Sequence, residues 1–287
     1  MNPVQMGPVG IWSMELRFGD PGETREAAAE LDDLGFGALW VPGGIDDGVL
    51  GDVERLLGAT RRMVIATGIL NLWKHDPADV AAWWQGLPDA HKGRVMLGIG
   101  VSHGPIIGDA WRKPLGATRD FVTRAAGAGL PGNAMCLAAL GPKMLELAAE
   151  KTAGAHPYLV DPEHTAMARK IMGPGRLLAP EQGVILQDDP AKAREAGMAA
   201  LTHYRNLPNY RNNWLRLGYR EEEVETVADR LFDGLFAWGG MDRIVARVKA
   251  HHDAGADHVC LQVISGAMGG EMDTVRQSYR ELAAALV

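Results

Sequence analysis

Between Val64 and His103 the chain reads VIATGIL, NLWKHDP, ADVAAWWQGLPDAHKG, RVMLGIG and VSH. Two short apolar runs without polar alternation flank an amphipathic stretch. A run of that kind is a strand covered on both faces, so the unit predicts two parallel strands joined by a crossover helix. A parallel sheet must be layered with helices, which fixes the fold class as α/β. Ligands of such sheets sit at the carboxyl ends of the strands. Here those ends carry Thr67, Gly68, Ile69, Leu70, Asn71 and His75 after the first run, and Val101, Ser102 and His103 after the second.

The same alternation runs along the chain. Strands are expected near Val9–Ser13, Ala38–Pro42, Val64–Leu70, Val95–Gly100, Met135–Ala139, Ala155–Val160, Gly183–Gln187 and His258–Ile264. Helices are expected near Glu23–Leu34, Val49–Arg62, Pro77–His91, Ala117–Ala128, Pro142–Lys151, Pro162–Met172, Pro190–Arg205 and Glu271–Leu286. Asp76-Pro77, Asp161-Pro162 and Asp189-Pro190 mark helix starts, because Asp accepts free N–H groups and Pro at the first position forfeits no hydrogen bond. Gly35 and Gly255 mark helix ends. From Leu207 to His252 the alternation breaks, and the stretch reads as helices inserted between strands seven and eight. Repeated βα units over 287 residues predict one domain, a (β/α)8 TIM barrel carrying that helical insertion.

Composition narrows the function. A net charge of −7 without a basic stripe argues against nucleic-acid binding. No apolar run approaches the roughly 18–20 residues of a membrane span, and the N-terminus has no export pattern. Cys136 and Cys260 sit in apolar strands, as small core residues do. The expectation is a cytoplasmic enzyme acting on a small molecule, without a membrane or nucleic-acid partner.

Several motifs compete for the chemistry. Gly100-Val101-Ser102-His103-Gly104 is literally G-x-S-x-G, and Asp253, Asp257 and His258 follow in triad order, which admits a hydrolase with Ser102 as nucleophile. Against it, Gly104-Pro105 and Gly108 disrupt the helix that a nucleophile elbow requires. Gly98, Gly100 and Gly104 form only a loose dinucleotide pattern. Neither HExxH nor CxxC occurs, so no metal centre is expected. His251-His252 reads as a solvated pair and His156 as a packed one. His103 and His75 follow strand ends, where a side chain with a pKa near 6.5 suits proton transfer. Trp12, Trp40 and Trp73 lie at or near strand ends and are candidates to floor a pocket for a flat ring. Ala138-Ala139-Leu140-Gly141 precede a helix start, where small residues let an anion reach backbone N–H groups. Asp161 and Glu163 would repel a phosphate, so the next helix start reads as an ordinary cap.

Taken together, Ala66-Thr67-Gly68-Ile69, Gly93-Arg94 through Gly98–His103, Leu137–Pro142, Pro157–Val160 with Pro162–Thr165, and Ala254–Val259 give the chain a family likeness. It resembles the luciferase-like monooxygenase superfamily, in particular its branch of oxidoreductases using the deazaflavin coenzyme F420. The resemblance implies a homodimeric barrel holding a flavin-type ring at its C-terminal mouth. It implies a non-proline cis peptide at Gly68-Ile69 backing the ring, and Val101, Ser102 and His103 lining it. It also implies that Ala138, Ala139, Leu140 and Gly141 bind the cofactor phosphate. An FMN-dependent monooxygenase on the same barrel is the alternative. Several F420 enzymes of this group carry an acid or histidine after strand two; this chain has Pro42-Gly43-Gly44 instead. His103 is the expected proton donor or acceptor, with His75 as the second candidate.

Overall fold

Apolar runs that cannot alternate become interior strands, and the capped segments between them become the covering helices. A computed structural model describes residues 4–44, 46–202, 204–264 and 270–287. Its strands are β1 (Val9–Trp12), β2 (Ala38–Gly43), β3 (Val64–Asn71), β4 (Val95–Gly100), β5 (Met135–Leu137), β6 (Gly154–Ala155), β7 (Leu177–Leu178), β8 (Glu181–Ile185), β9 (Phe236–Trp238) and β10 (Val259–Val263). They form one 10-stranded sheet in the order β7-β6-β5-β4-β3-β2-β1-β10-β8-β9. Every neighbouring pair is parallel.

β7 and β8 are two pieces of one run interrupted at Ala179-Pro180. On one edge of that run Ala179 N donates to Ala155 O (2.9 Å) and Glu181 N to Pro157 O (2.8 Å). On the other, Asp257 N donates to Leu178 O and Cys260 N to Pro180 O, both at 2.9 Å. The sheet therefore curls until the two ends of its order meet along residues 177–185.

Two apolar layers hold it. Outside, Leu39, Ile65, Leu97, Leu137 and Val259 pack against Leu31, Leu56, Val80, Leu147 and Leu282 of the helices. Inside, Trp12, Ala38, Trp40, Ala66, Met96, Cys136, Ala179 and Cys260 fill the space that the curled sheet encloses. The helix starts behave as their sequence dictates: Asp76 accepts from Ala78 N, Asp161 from His164 N, and Asp189 from Ala191 N and Lys192 N. Gly35 and Gly255 take left-handed φ values of 98° and 103° at the ends of helices.

Three expectations need correction. The stretch 207–252 is not only helical. Helices Pro208–Arg216, Glu221–Thr226 and Asp229–Leu235 lead into β9, which pairs Phe236–Trp238 with Gly183–Ile185, and helix Met241–Asp253 follows. The strand expected over Ala155–Val160 is ladder-paired only at Gly154–Ala155, since Leu159 turns to φ 54°. The helix expected over Pro77–His91 is cut at Leu87-Pro88 into Pro77–Gly86 and Asp89–Lys92, because Pro88 has no N–H to continue the ladder.

Candidate active site at the strand ends

The mouth of the sheet is shaped by a bulge in β3. Its register slips against β2 between Val41 and Gly43, and against β4 between Gly68 and Leu70. The Gly68-Ile69 peptide is cis, at the position the family likeness indicated. Trp12 Nε1 donates to Gly68 O at 3.1 Å. Close approach requires glycine here. A Cβ on Gly68 would fall 2.6 Å from Trp12 Nε1, and one on Gly98 would fall 2.1 Å from Thr67 O. On Gly100 it would meet Ile69 Cγ1 at 2.9 Å and Ala138 Cβ at 3.1 Å, so Ile69 lies across Gly100. Gly43, in the segment that departs from the family pattern, abuts the bulge: its Cβ would stand 2.6 Å from Ile69 O. Asn71 Nδ2 donates to Gly44 O (3.1 Å), and Trp73 Nε1 donates to Val101 O (2.8 Å). Asn71 and Trp73 thus tie the loops after β2, β3 and β4 together.

His103 is half-buried after β4 and faces an aromatic wall. Its ring centroid lies 5.6 Å from Tyr210 and 6.4 Å from Tyr204. Tyr158 stands 5.4 Å from Tyr204, 6.4 Å from Tyr210 and 5.8 Å from Trp12. Tyr158 Oη donates to Gln262 Oε1 at 2.8 Å. Burial lowers the His103 pKa below the usual histidine range, and a hydrogen bond with Asn209 opposes that. His103 Nδ1 is buried without a hydrogen-bond partner among the described residues. The imidazole is therefore neutral at pH 7 with one nitrogen uncommitted, which suits a base receiving a proton from a hydroxyl. His75 occupies a different wall. Burial lowers its pKa too, Asp47 and Asp46 oppose the shift and Arg17 adds to it, so it looks onto the loop after β2.

Trp40 does not floor the mouth. It is fully buried, stacks on His156 with centroids 4.0 Å apart, and donates from Nε1 to His258 Nε2 at 3.1 Å. It fills the interior below the opening. His156 is packed as expected, its Nδ1 2.7 Å from Ala179 O. Burial pushes the pKa of His156 and of His258 down to about 4. His251 is not solvated: it is fully buried, with Nδ1 2.8 Å from Thr165 Oγ1 and Nε2 2.9 Å from Gln182 Oε1. Its helix turns that face inward.

The hydrolase triad is not assembled. His258 precedes β10, at the end of the sheet opposite the loop after β4. There its Nδ1 lies 2.8 Å from Gly7 O. Asp257 is engaged by Arg169 (2.6 Å) and by Leu178 N (2.8 Å). Ser102 has a left-handed φ of 52° and leads into a short helix, Gly104–Ile107. That helix does form despite Gly104-Pro105, but among the described residues Asp253, Asp257 and His258 make no contact with it.

After β5 the chain builds an opening suited to an anion. Ala138 turns inward against Gly100, whereas Ala139 packs into the outer apolar core. Leu140 O is 3.0 Å from His164 Nε2. Gly141 caps the helix Pro142–Lys151, whose first turn directs N–H groups and positive dipole outward. Arg216 stands over it: a Cβ on Gly141 would lie 3.8 Å from Arg216 Nη2 and 4.0 Å from Nη1. Asn213 Oδ1 accepts from Arg216 Nη1 at 3.2 Å. Asp161 is a cap, as expected, and its Oδ2 also accepts from Tyr219 Oη at 2.8 Å.

Sequence reading missed Arg216, Tyr158, Tyr204, Tyr210 and Glu181. Glu181 is 1% exposed inside the sheet. Its burial among aromatic and apolar groups pushes its carboxyl pKa up to about 8. A signal existed in the phrase Ala179-Pro180-Glu181-Gln182-Gly183, where an acid opens a strand that is apolar on both sides.

Comparison with known proteins agrees with this architecture. Residues 6–128 match the family model of the luciferase-like monooxygenases. No curated protein matches the chain in sequence. Among solved structures, an F420-dependent secondary alcohol dehydrogenase in complex with an F420-acetone adduct superposes with a TM-score of 0.72 at 15% identity, covering 98% of this chain and 99% of its own. The coenzyme F420 dependent tetrahydromethanopterin reductase from Methanopyrus kandleri gives 0.69 at 14% identity, covering 99% and 98%. The FMN-complexed oxygenating constituent of 3,6-diketocamphane monooxygenase from Pseudomonas putida gives 0.68 at 13%, covering 98% of each. At such identities the superpositions speak for the fold alone. The match to the luciferase-like monooxygenase family covers residues 6–128, less than half of the chain, and the superpositions extend the likeness of fold over its whole length.

Proposed function

We propose that the protein is an F420-dependent oxidoreductase that moves a hydride between the deazaflavin and a small, uncharged carbonyl or alcohol substrate. The proposed scaffold is a closed (β/α)8 barrel, supported by the hydrogen bonds on both edges of residues 177–185. The observation that carries the functional reading is the glycine-bearing bulge at the ends of β3 and β4 beside the helix start at Gly141. Gly68, Gly98 and Gly100 let Trp12, the β3 bulge with Ile69, and Ala138 close up at the strand ends, next to an anion-suited helix start flanked by Arg216. A flat ring system with a phosphate tail fits that pair of features. Gly68, Ile69, Leu70 and Asn71 would back the ring, Val101 and Ser102 would border it, and Ala138, Leu140 and Gly141 with Arg216 would hold the phosphate. The bound deazaflavin supplies the hydride chemistry; the chain orients the ring and the substrate.

The chain's own part in the reaction is the proton. His103, neutral at pH 7, takes a proton from an alcohol as it is oxidised and returns it in the reverse direction. The tyrosines facing it keep water out and present uncharged groups, since burial raises the pKa of Tyr158, Tyr204 and Tyr210 above the ordinary phenol range. That wall favours an uncharged substrate with an apolar body.

The second reading is an FMN-dependent monooxygenase, favoured by the likeness to the FMN-complexed Pseudomonas putida protein. Side-by-side titration of the purified protein with F420 and FMN tests the choice. Micromolar or tighter binding of F420 alone is the expected result. Binding of FMN alone, with oxygen consumed by the reduced complex, would replace the first reading with the second. Failure of both to bind would remove the cofactor reading altogether.

A further inference from the structure

Glu181 is a buried acid inside the curled sheet that no part of the proposed chemistry uses. It opens β8 in register with Cys260 of β10, and its alternation with Ala179 and Gly183 turns it toward the enclosed interior. Oε2 accepts from Leu159 N at 3.1 Å. Oε1 is buried with no hydrogen-bond partner among the described residues. Leu159 sits at φ 54°, a conformation costly for a side chain with a Cβ, so outside contacts must hold it. It is held from both sides: Glu181 takes its N–H, and Trp214 Nε1 donates to its carbonyl at 3.3 Å. The preceding residue is Tyr158, the centre of the aromatic wall, with its hydroxyl on Gln262.

We propose that Glu181 is a positioning residue that fixes Tyr158, and through it the aromatic wall, only while its carboxyl is uncharged, which gives the site an alkaline limit. The groups whose charge bears on it are named by the packing. Tyr158 follows β6, Tyr204 and Tyr210 belong to the segment after helix Pro190–Leu201, and Cys260 lies on β10; none is a cation, and all are sensitive to a charge on Glu181 or to one another. His156, against Ala179 O, is neutral as well. Neutral, the carboxyl still accepts the Leu159 N–H at Oε2 and holds its proton on Oε1, so it adds no charge to this cluster. Ionised, it puts a charged, unpartnered Oε1 into an apolar interior. Relief comes from the Tyr158 hydroxyl turning from Gln262 toward it, which breaks the Tyr158–Gln262 bond and shifts the wall around it. Burial sets the change near pH 8.

The inference does not depend on which cofactor binds, and its test needs only the protein. Tyr158-Leu159 is the sole Tyr-Leu pair in the chain. Labelling with carbonyl-13C tyrosine and 15N leucine therefore isolates the Leu159 amide in one carbonyl-filtered NMR experiment. We expect that resonance to titrate with a midpoint near pH 8, and the near-ultraviolet circular dichroism of the aromatic wall to change with the same midpoint. In Glu181→Gln both should be flat, with the wild-type aromatic spectrum retained; in Glu181→Ala that spectrum should be lost at every pH. A Leu159 midpoint in the ordinary carboxylate range overturns the proposal. So does a Leu159 titration that leaves the aromatic spectrum unmoved, or one that persists in Glu181→Gln. If Glu181→Gln fails to fold, coincidence or separation of the two wild-type midpoints decides alone.

Discussion

Arg216 Nη2 lies 3.8 Å from the point at which a Cβ would stand on Gly141, so a cation from one helix faces the positive start of another. Two like potentials converge on one opening, an arrangement that repels itself unless an anion bridges it. Arg216→Ala should weaken binding of a phosphate-bearing cofactor by at least about tenfold, roughly 1.4 kcal/mol. Gly141→Asp should do the same by pairing with Arg216 and occupying the gap. Equilibrium titration checks both; unchanged affinity in folded variants would put the phosphate elsewhere.

His103→Ala should lower kcat by about 10²–10⁴-fold with little change in cofactor affinity, because a missing base acts on the transition state. His103→Gln, which keeps shape but cannot titrate, should be slow as well. The pH profile gives an independent reading. Burial holds the His103 pKa below the ordinary value, so alcohol oxidation should fall only as pH drops below about 6.5, and this limb should vanish in His103→Gln. His75→Ala, on the wall near Asp46 and Asp47, should retain activity. The reverse pattern would exchange the two roles.

Acid should unfold this protein through its histidines. Burial holds His156 and His258 down to about 4, and His251 down to about 3, against 6.5 for the unfolded chain. Between those values the unfolded state binds more protons, so stability rises with pH there and is lost as pH falls from about 6.5 to about 4. Each buried histidine contributes on the order of 3 kcal/mol to that loss. Glu181 acts in the opposite sense: its folded pKa lies above the unfolded one, so its stabilisation is full below about 4.5 and is lost as pH rises through about 8. Denaturant unfolding at stepped pH should show the acid loss, and Glu181→Gln should gain most over the wild type at alkaline pH.

Gly98→Ala should destabilise by about 1–3 kcal/mol, because the new methyl meets backbone rather than a movable side chain. Thr67 O would be 2.1 Å away, and Thr67 Oγ1 already donates to Gly98 O at 2.8 Å across the same pair of strands. Guanidinium titration measures it; a neutral result would mean that β3 and β4 can separate at this level without loss.

The scaffold was legible because its signals are local. The apolar run Val95–Gly100 is β4 residue for residue, and all three Asp-Pro starts are caps. What escaped was decided by distant partners. β9 is a strand only because Gly183–Ile185 offer it an edge; Phe-Ala-Trp on its own has no period. His251 reads as polar beside His252, yet its partners Thr165 and Gln182 are 86 and 69 residues away. Tyr204, Tyr210 and Arg216 lie in a segment with no strand-end signal, and only the return of the chain over the mouth brings them to His103 and Gly141. The strand expected from Gly183 begins at Glu181, because a polar residue at a run's edge resembles a boundary until Leu159 N is seen to need it.

The pairing of Ile185 with Trp238, reinforced by Gly239 N donating to Ile185 O at 3.1 Å, means that the chain leaves the sheet and returns to the same spot fifty residues later. The excursion is a cassette with its two ends clasped on adjacent rungs. It delivers Tyr204, Tyr210 and Arg216, while the bulge, its glycines and His103 belong to the frame. On the proposed function, the groups that shape the substrate and those that react with it come from different pieces of chain, joined at one pair of rungs.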